Sequence, residues 1–296
     1  MTQISLWTAE NLPASQQIVN VAQVPQRSPL RYPGGKTWLV PHIRTWLRSI
    51  PKPKILIEPF AGGGIISLTA AFEDLADHII MVEMDDGVAS LWETILSADS
   101  EWLVERILSF DLSFESVREE QAKTPLSRRE LGFQTLLRNR TSHGGILAPG
   151  SGIIKNGENG RGIQSRWYAQ TLAKRIRNIG HIREKISFIH GDGIQIMHQH
   201  ESSASSAFFL DPPYTAGLNG KRAGKRLYTH NELDHESLFQ QAKAVHGSVL
   251  MTYDHCKDVV EMAHRYGFPY KIIAMKNTHH ATMQEILLGN DLRWVG

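Results

Sequence analysis

The chain has 296 residues, with 32 Lys+Arg against 30 Asp+Glu, 41% hydrophobic residues and a single cysteine. That length fits one large domain or two modest ones, burying roughly three quarters of the unfolded surface, so a substantial core forms without staples. The lone Cys256 excludes an internal disulfide framework and a multi-cysteine zinc site, and no run reaches the ~18 apolar residues of a bilayer span. With the first basic residue at Arg27, the amino terminus lacks the charged start of a signal peptide, and a cytoplasmic protein without a membrane partner is expected.

Residues 1–28 are polar, rich in Gln and Ser, and read as a flexible amino-terminal arm. Arg31-Tyr-Pro-Gly-Gly-Lys36 then leads into a helical pattern carrying Trp38, Leu39, Ile43 and Leu47. Residues 54–60 read as a buried strand, followed by a glycine turn, a helix over 65–72, a second strand over 78–83 and a helix through Trp92 and Ile95. Strand, helix, strand within about thirty residues is the unit of a parallel sheet covered by helices. From 100 to 179 the patterns are helical, interrupted at 144–162 by seven glycines in nineteen residues, a mobile loop or hairpin. Strands return at 186–190, 207–211, 248–253 and 270–275, and 283–288 is placed to pair with the last. No repeat is present. The expected architecture is one α/β sheet, in two parts (29–99 and 184–296), interrupted by a basic, helical insertion over 100–183.

The net charge of +2 hides an uneven distribution. Residues 121–183 hold twelve basic side chains and only two acidic ones, a local +10 that leaves −8 for the remainder. Lys221, Arg222, Lys225 and Arg226 form a second basic cluster in a stretch without acids. Each could be a solvated face; together they point to a polyanion, most simply nucleic acid.

The strongest chemical signal is Asp211-Pro-Pro-Tyr214 directly after an apolar strand. In an open parallel sheet, ligands bind outside the carboxyl ends of the strands. The two prolines stiffen the turn and remove backbone donors, leaving acceptors: the Asp211 carboxylate and the Pro212 carbonyl. Accepting both hydrogens of an exocyclic amine would localise its lone pair for attack, and Tyr214 offers a face for a flipped base. A rigid turn after a core strand is the alternative. Glu58-Pro-Phe-Ala-Gly-Gly-Gly64 lets backbone approach a ligand closely, and Glu83, about twenty residues on, can accept from ribose hydroxyls. The turn lacks the spacing of a dinucleotide or phosphate loop, which points to a nucleoside-containing cofactor without a strongly held phosphate. In the first motif, Gly-Gly permits close approach and Lys36 can pair with a carboxylate; a simple helix-start turn is its alternative.

Arg31-Tyr-Pro-Gly-Gly-Lys36, Glu58-Pro-Phe-Ala-Gly-Gly-Gly64, Asn139-Arg-Thr, Asp211-Pro-Pro-Tyr214 and the closing Gln284-Glu-Ile-Leu-Leu-Gly-Asn290, in that order, resemble the Dam-like (D12 class) DNA adenine N6-methyltransferases. The resemblance spans about residues 29–291. It implies a Rossmann-like S-adenosylmethionine-dependent methyltransferase sheet with a helical target-recognition insertion. It further implies methyl transfer from S-adenosylmethionine to the N6 amine of an adenine flipped from double-stranded DNA. Tyr32, Lys36, Glu58, Phe60, Gly62, Gly63, Gly64 and Glu83 would hold the cofactor, and Asp192 would lie near its adenine unless it only caps a helix. Asp211, Pro212, Pro213 and Tyr214 would be catalytic, with Asp211 between cofactor and target base. The insertion coincides with the basic block, so Arg138, Asn139, Arg140, Lys155, Arg161 and Arg166, with Lys221, Arg222, Lys225 and Arg226, are the expected DNA-contacting residues. Such enzymes act alone or beside a cognate restriction nuclease in restriction-modification, and a monomer suffices. One departure is Glu83-Met84-Asp85 where the family usually has Asp-x-Asn, which moves the carboxylate by one methylene.

Three rivals remain at this stage: an N4-cytosine methyltransferase, since the motif can present either amine; a non-catalytic DNA-binding module of the same fold; and an RNA substrate. Cys256 follows His255 rather than a proline, so covalent attack on ring carbon 5 of cytosine has no candidate nucleophile. His198-x-His200 and His279-His280 invite a metal, but no nearby carboxylate and histidine constellation completes a convincing site, and no metal is expected.

Overall fold

The computed structural model describes residues 23–31, 35–148, 151–157, 160–213, 233–276 and 282–295. In chain order its elements are α1 (Val40–Ser49), β1 (Ile55–Glu58), α2 (Ile65–Phe72), β2 (His78–Glu83), α3 (Asp86–Leu96), α4 (Ser100–Ser109), α5 (Phe114–Ala122), α6 (Arg128–Thr141), α7 (Ala169–Gly180), β3 (Ile186–His190), α8 (Gly193–Gln199), β4 (Ser206–Leu210), α9 (His235–Ala244), β5 (Ser248–Asp254), α10 (Lys257–Tyr266), β6 (Tyr270–Lys276) and β7 (Thr282–Gly289). Each strand expected from the sequence is present, with ends shifted by two residues at most.

The strands form one mixed sheet in the order β3-β2-β1-β4-β5-β7-β6. β1 to β5 pair in parallel, and β7 runs antiparallel between β5 and β6. The first five positions follow the doubly wound order, so the fold is a Rossmann-like α/β sheet. The central strands are largely apolar because both faces are covered, while β3 at the edge exposes Ser187 and His190. Alternation sends Leu56, Ile79, Met81, Ala207, Phe209, Leu250 and Leu287 into one core, and Ile57, Ile80, Val82, Phe208, Leu210, Val249, Met251 and Ile286 into the other. The first core is completed by α1 to α7, including Leu103, Val117, Phe133 and Ile176 of the segment read as an insertion. The second is completed by α8, α9 and α10.

Local chemistry sets the helix starts. Asp85 accepts from Val88 N at 2.9 Å ahead of α3, and Ser113 with Ser116 forms a reciprocal cap on α5. α6 lies close against α3 because Gly132 leaves no Cβ: one would fall 2.9 Å from the Ser90 carbonyl.

Two expectations gain detail here. Residues 1–22 of the arm lie outside the described residues, but 23–28 are anchored at three points: Val24 and Ser28 are buried, and Arg27 bonds Glu73 at 2.9 Å and covers the Phe72 ring, while Gln23, Pro25 and Gln26 are exposed. The described part of the glycine-rich stretch folds back on α6, through a bridge between Ser142 and Ile153 and a bond from Ile154 N to Thr141 O at 2.8 Å. Among the described residues no helix is long and apolar enough to cross a membrane.

Candidate active site

The chain builds outward through β1, β2 and β3, then returns to place β4 beside β1. This reversal opens a crevice at the carboxyl ends of β1 and β4, where open sheets bind ligands. Strand alternation decides which side chains face it. Leu56, Met81, Phe209, Leu250 and Leu287 belong to one core, so Glu58, Glu83, Asp211, Thr252, Asp254 and Glu285 project on that same face. Glu285 reaches this edge because β7 is antiparallel: it stands opposite Asp254 near the start of its strand.

Lys36 enters from the same side. The turn Lys36–Leu39 and α1 bury Trp38, Leu39, Val40, Ile43 and Trp46, anchoring the lysine, which is 3% exposed. Its Nζ lies 2.9 Å from Asp211 Oδ1 and 3.8 Å from Glu285 Oε2. Thr252 Oγ1 donates to the same Asp211 oxygen at 3.0 Å. Burial holds the Glu285 carboxyl up to about 7 and raises Asp254, with Lys36 opposing both and Asp211 adding to the rise.

The glycine turn is braced by two acids. Glu58 Oε2 accepts from Ser67 N at 2.9 Å, inside the first turn of α2, and burial still pushes its carboxyl up to about 8, with Asp211 and Glu83 contributing repulsion. Glu83 accepts from Gly62 N, Met84 N and Asp85 N, each at 2.9 Å. Burial raises the Glu83 carboxyl, and those backbone bonds oppose the rise. Trp92 Nε1 donates to Gly62 O at 2.9 Å. Gly64 has φ of 62°, and a Cβ there would meet Met81 Cε at 2.6 Å and Trp92 Cζ2 at 2.9 Å. Gly64→Ala is therefore expected to cost about 2–4 kcal/mol, from left-handed strain plus overpacking, which chemical denaturation would measure.

The structure brings Lys36, Glu58, Gly62, Gly63, Gly64, Glu83 and Asp211 to one edge, with Pro212 buried and Pro213 half-buried behind it. Phe60 packs toward the opposite core. Asp192 is exposed and caps α8, accepting from Ile194 N at 2.8 Å, which is the alternative weighed for it above. Tyr32, Tyr214, Lys221, Arg222, Lys225 and Arg226 lie outside the described residues.

Two expected DNA contacts are corrected. Asn139 is fully buried, and its amide accepts from Arg31 N at 2.8 Å and donates to Arg31 O and Gly145 O at 3.0 and 2.8 Å, tying α6 to the strand of chain that enters the Lys36 turn. Arg140 is also buried and donates to Pro29 O. Burial and the neighbouring Arg175, Arg31 and Arg166 lower its guanidinium to about 9. Much of the local +10 is neutralised across the fold: Arg128 pairs with Asp86 and Glu93, Arg129 with Asp99, Arg177 with Glu101 and Lys123 with Glu120. Arg138, Lys155 and Arg161 are exposed and Arg166 half-exposed. Arg138 lines a cavity of about 480 Å³ with Arg118, Thr141, Ser142 and Ser151.

Sequence reading missed Thr252, Asp254 and Glu285. The available signal was an acid, Glu285, in an otherwise apolar strand, and an acid closing β5.

Comparison with known proteins gives a family match over part of the chain. Residues 32–131 match the D12 class N6 adenine-specific DNA methyltransferase family. The matched stretch carries the Lys36 turn, the glycine turn and Glu83, and ends before Asn139 and Asp211. It bears out the resemblance drawn from the motifs, and with it the S-adenosylmethionine cofactor the family implies. Solved structures similar to this chain include an S-adenosylmethionine-dependent methyltransferase from Agrobacterium tumefaciens (9% identity, 86% of this chain and 62% of that one, TM-score 0.41). Others are the rRNA methyltransferase aviRa from Streptomyces viridochromogenes (16%, 86% and 84%, 0.36) and an rRNA methylase from Streptococcus thermophilus (8%, 85% and 95%, 0.36). No curated protein gives a significant match.

The residues present fit that cofactor. Glu58, Glu83, Asp254 and Glu285 are each held above the ordinary carboxylate range by burial, and repulsion from a neighbouring acid adds to every one. Such a crowd of acids is relieved by a cationic ligand, and S-adenosylmethionine carries a sulfonium and an ammonium. At the start of α2 the turn is half-buried at Gly63, between the buried Gly62 and Gly64, so it presents no side chain to such a ligand.

Proposed function

We propose that the protein methylates the N6 amine of an adenine flipped out of double-stranded DNA. The observation that carries this reading is Asp211-Pro212-Pro213 at the carboxyl end of β4, beside the crevice, with the carboxylate oriented by Lys36 and Thr252. When bound, the cofactor supplies an electrophilic methyl group. Lys36, Glu58 and the Gly62–Glu83 brace would hold it against the carboxyl edge. Asp211 and the Pro212 carbonyl accept the two hydrogens of the amine, drawing its nitrogen toward tetrahedral geometry and localising its lone pair. Proline at 212 and 213 contributes no backbone donor that would compete for those acceptors. Most of the acceleration in this scheme comes from alignment of nucleophile and methyl group.

Incubation with labelled cofactor and either duplex DNA or structured RNA, followed by nucleoside analysis, tests the reading. N6-methyladenine in the DNA alone is the expected product; N4-methylcytosine, or label only in RNA, would overturn it. DNA contact is assigned to the exposed Arg138, Lys155 and Arg161 with Arg166 beside them, and to the 221–226 cluster. Replacing Arg138 and Arg161 together by alanine should weaken DNA binding and make the plot of log affinity against log salt shallower by about two units. An unchanged slope would remove them from the phosphate-contacting surface.

A further inference from the structure

The carboxyl edge holds a buried acid that neither the brace of the glycine turn nor the acceptor pair uses. Glu285 is 5% exposed, stands opposite Asp254 on β5 and Ile273 on β6, and is followed by the fully buried Ile286, Leu287 and Leu288. An aliphatic side chain would suit this strand, since burying a carboxyl is costly. Its Oε2 has no hydrogen-bond partner and lies 3.8 Å from the ammonium of Lys36, the same group that sits 2.9 Å from Asp211. One buried cation thus faces two carboxyl groups at unequal distances.

We infer that Glu285 is a positioning residue for Asp211: it competes for Lys36 and so sets how much of the lysine's charge Asp211 carries when it accepts the amine. The inference rests on the reading of Asp211 as the group that holds the amine. With Glu285 neutral, the ammonium of Lys36 is drawn more fully to Asp211, and a carboxylate already satisfied by an ammonium is a poorer acceptor. With Glu285 ionised, the ammonium is shared and Asp211 accepts more strongly.

The charged groups facing Glu285 come from three elements: Lys36 from the turn before α1, Asp211 from the end of β4 and Asp254 from β5, while its β6 neighbour is Ile273. Burial is the largest cause of its elevation to about 7, Asp211 and Asp254 add to it and Lys36 opposes it. The change of charge therefore falls where the enzyme would work.

The experiment is the pH profile of kcat on duplex DNA between pH 6 and 8.5. The wild type should rise through an inflection near 7. Glu285→Gln fixes the neutral state and should hold the low-pH rate throughout, about ten-fold below wild type at pH 8.5, with KM for DNA unchanged. Asp254→Asn removes a neighbouring negative charge and should move the inflection to lower pH. Thermal unfolding supplies a readout without turnover. A carboxyl raised in the folded state favours folding while protonated, so wild-type Tm should fall as pH rises through 7, and Glu285→Gln should reduce that fall. A Glu285→Gln profile that follows the wild type would overturn the inference, as would an inflection unmoved by Asp254→Asn. Absence of wild-type turnover on every duplex would instead overturn the reading of Asp211 itself.

Discussion

Asp211→Ala should lower methyl transfer by roughly 10³-fold or more while cofactor binding stays measurable. The side chain stands at the end of β4 and is 20% exposed, so its removal opens no core cavity. Lys36 keeps Glu285 as a second carboxyl neighbour at 3.8 Å, and the fold should survive. The loss should therefore appear chiefly in kcat, beside a lower Tm from weakening the buried Lys36–Asp211 pair. Single-turnover assays together with calorimetric titration of the cofactor separate these effects. Turnover close to wild type would remove Asp211 from the chemistry.

Lys36→Met should have the largest effect on stability. The ammonium is buried and neutralises a cluster in which Asp211, Asp254 and Glu285 already repel one another. Removing one partner of a buried ion pair leaves an uncompensated charge and costs about 3–5 kcal/mol. The sign of the pH dependence follows from the raised carboxyls. Below about 7 Glu285 takes up a proton and part of the cluster is neutral without the lysine. The loss should thus be greatest at pH 8.5 and smaller at pH 6. Urea unfolding at both pH values measures it, and a loss independent of pH would show that the lysine does not balance these acids.

The fold was legible because the central parallel strands each carry an apolar run bounded by turn residues. Residues 55–58, 78–83 and 206–210 carry that pattern, and burial on both faces explains it. The glycine turn was read as a close approach to a ligand; at Gly64 it is the positive φ and the chain's own Met81 and Trp92 that leave no space for a side chain. The basic block misled in part because charge counted along the chain ignores partners from elsewhere in the fold. Asp86, Glu93, Asp99, Glu101 and Glu120 all lie outside the counted stretch, yet they pair with Arg128, Arg129, Arg177 and Lys123 inside it. Asn139 and Arg140 were read as surface residues because both are polar. Their burial follows from backbone groups of residues 29, 31 and 145 that need partners inside the molecule. Glu83 was read through a ribose, but its three backbone bonds show a brace for the turn. Glu285 became meaningful only once β7 was seen to run antiparallel, because that direction brings the start of the strand to the edge where the parallel strands end.

The central claim is that Asp211 presents an adenine amine for methylation. Single-molecule sequencing of DNA from cells producing the wild type or Asp211→Ala tests it most directly. N6-methyladenine is expected at a defined sequence in the wild-type cells and none there in the variant. Wild-type DNA without N6-methyladenine at any motif, or equal methylation in both, would contradict it.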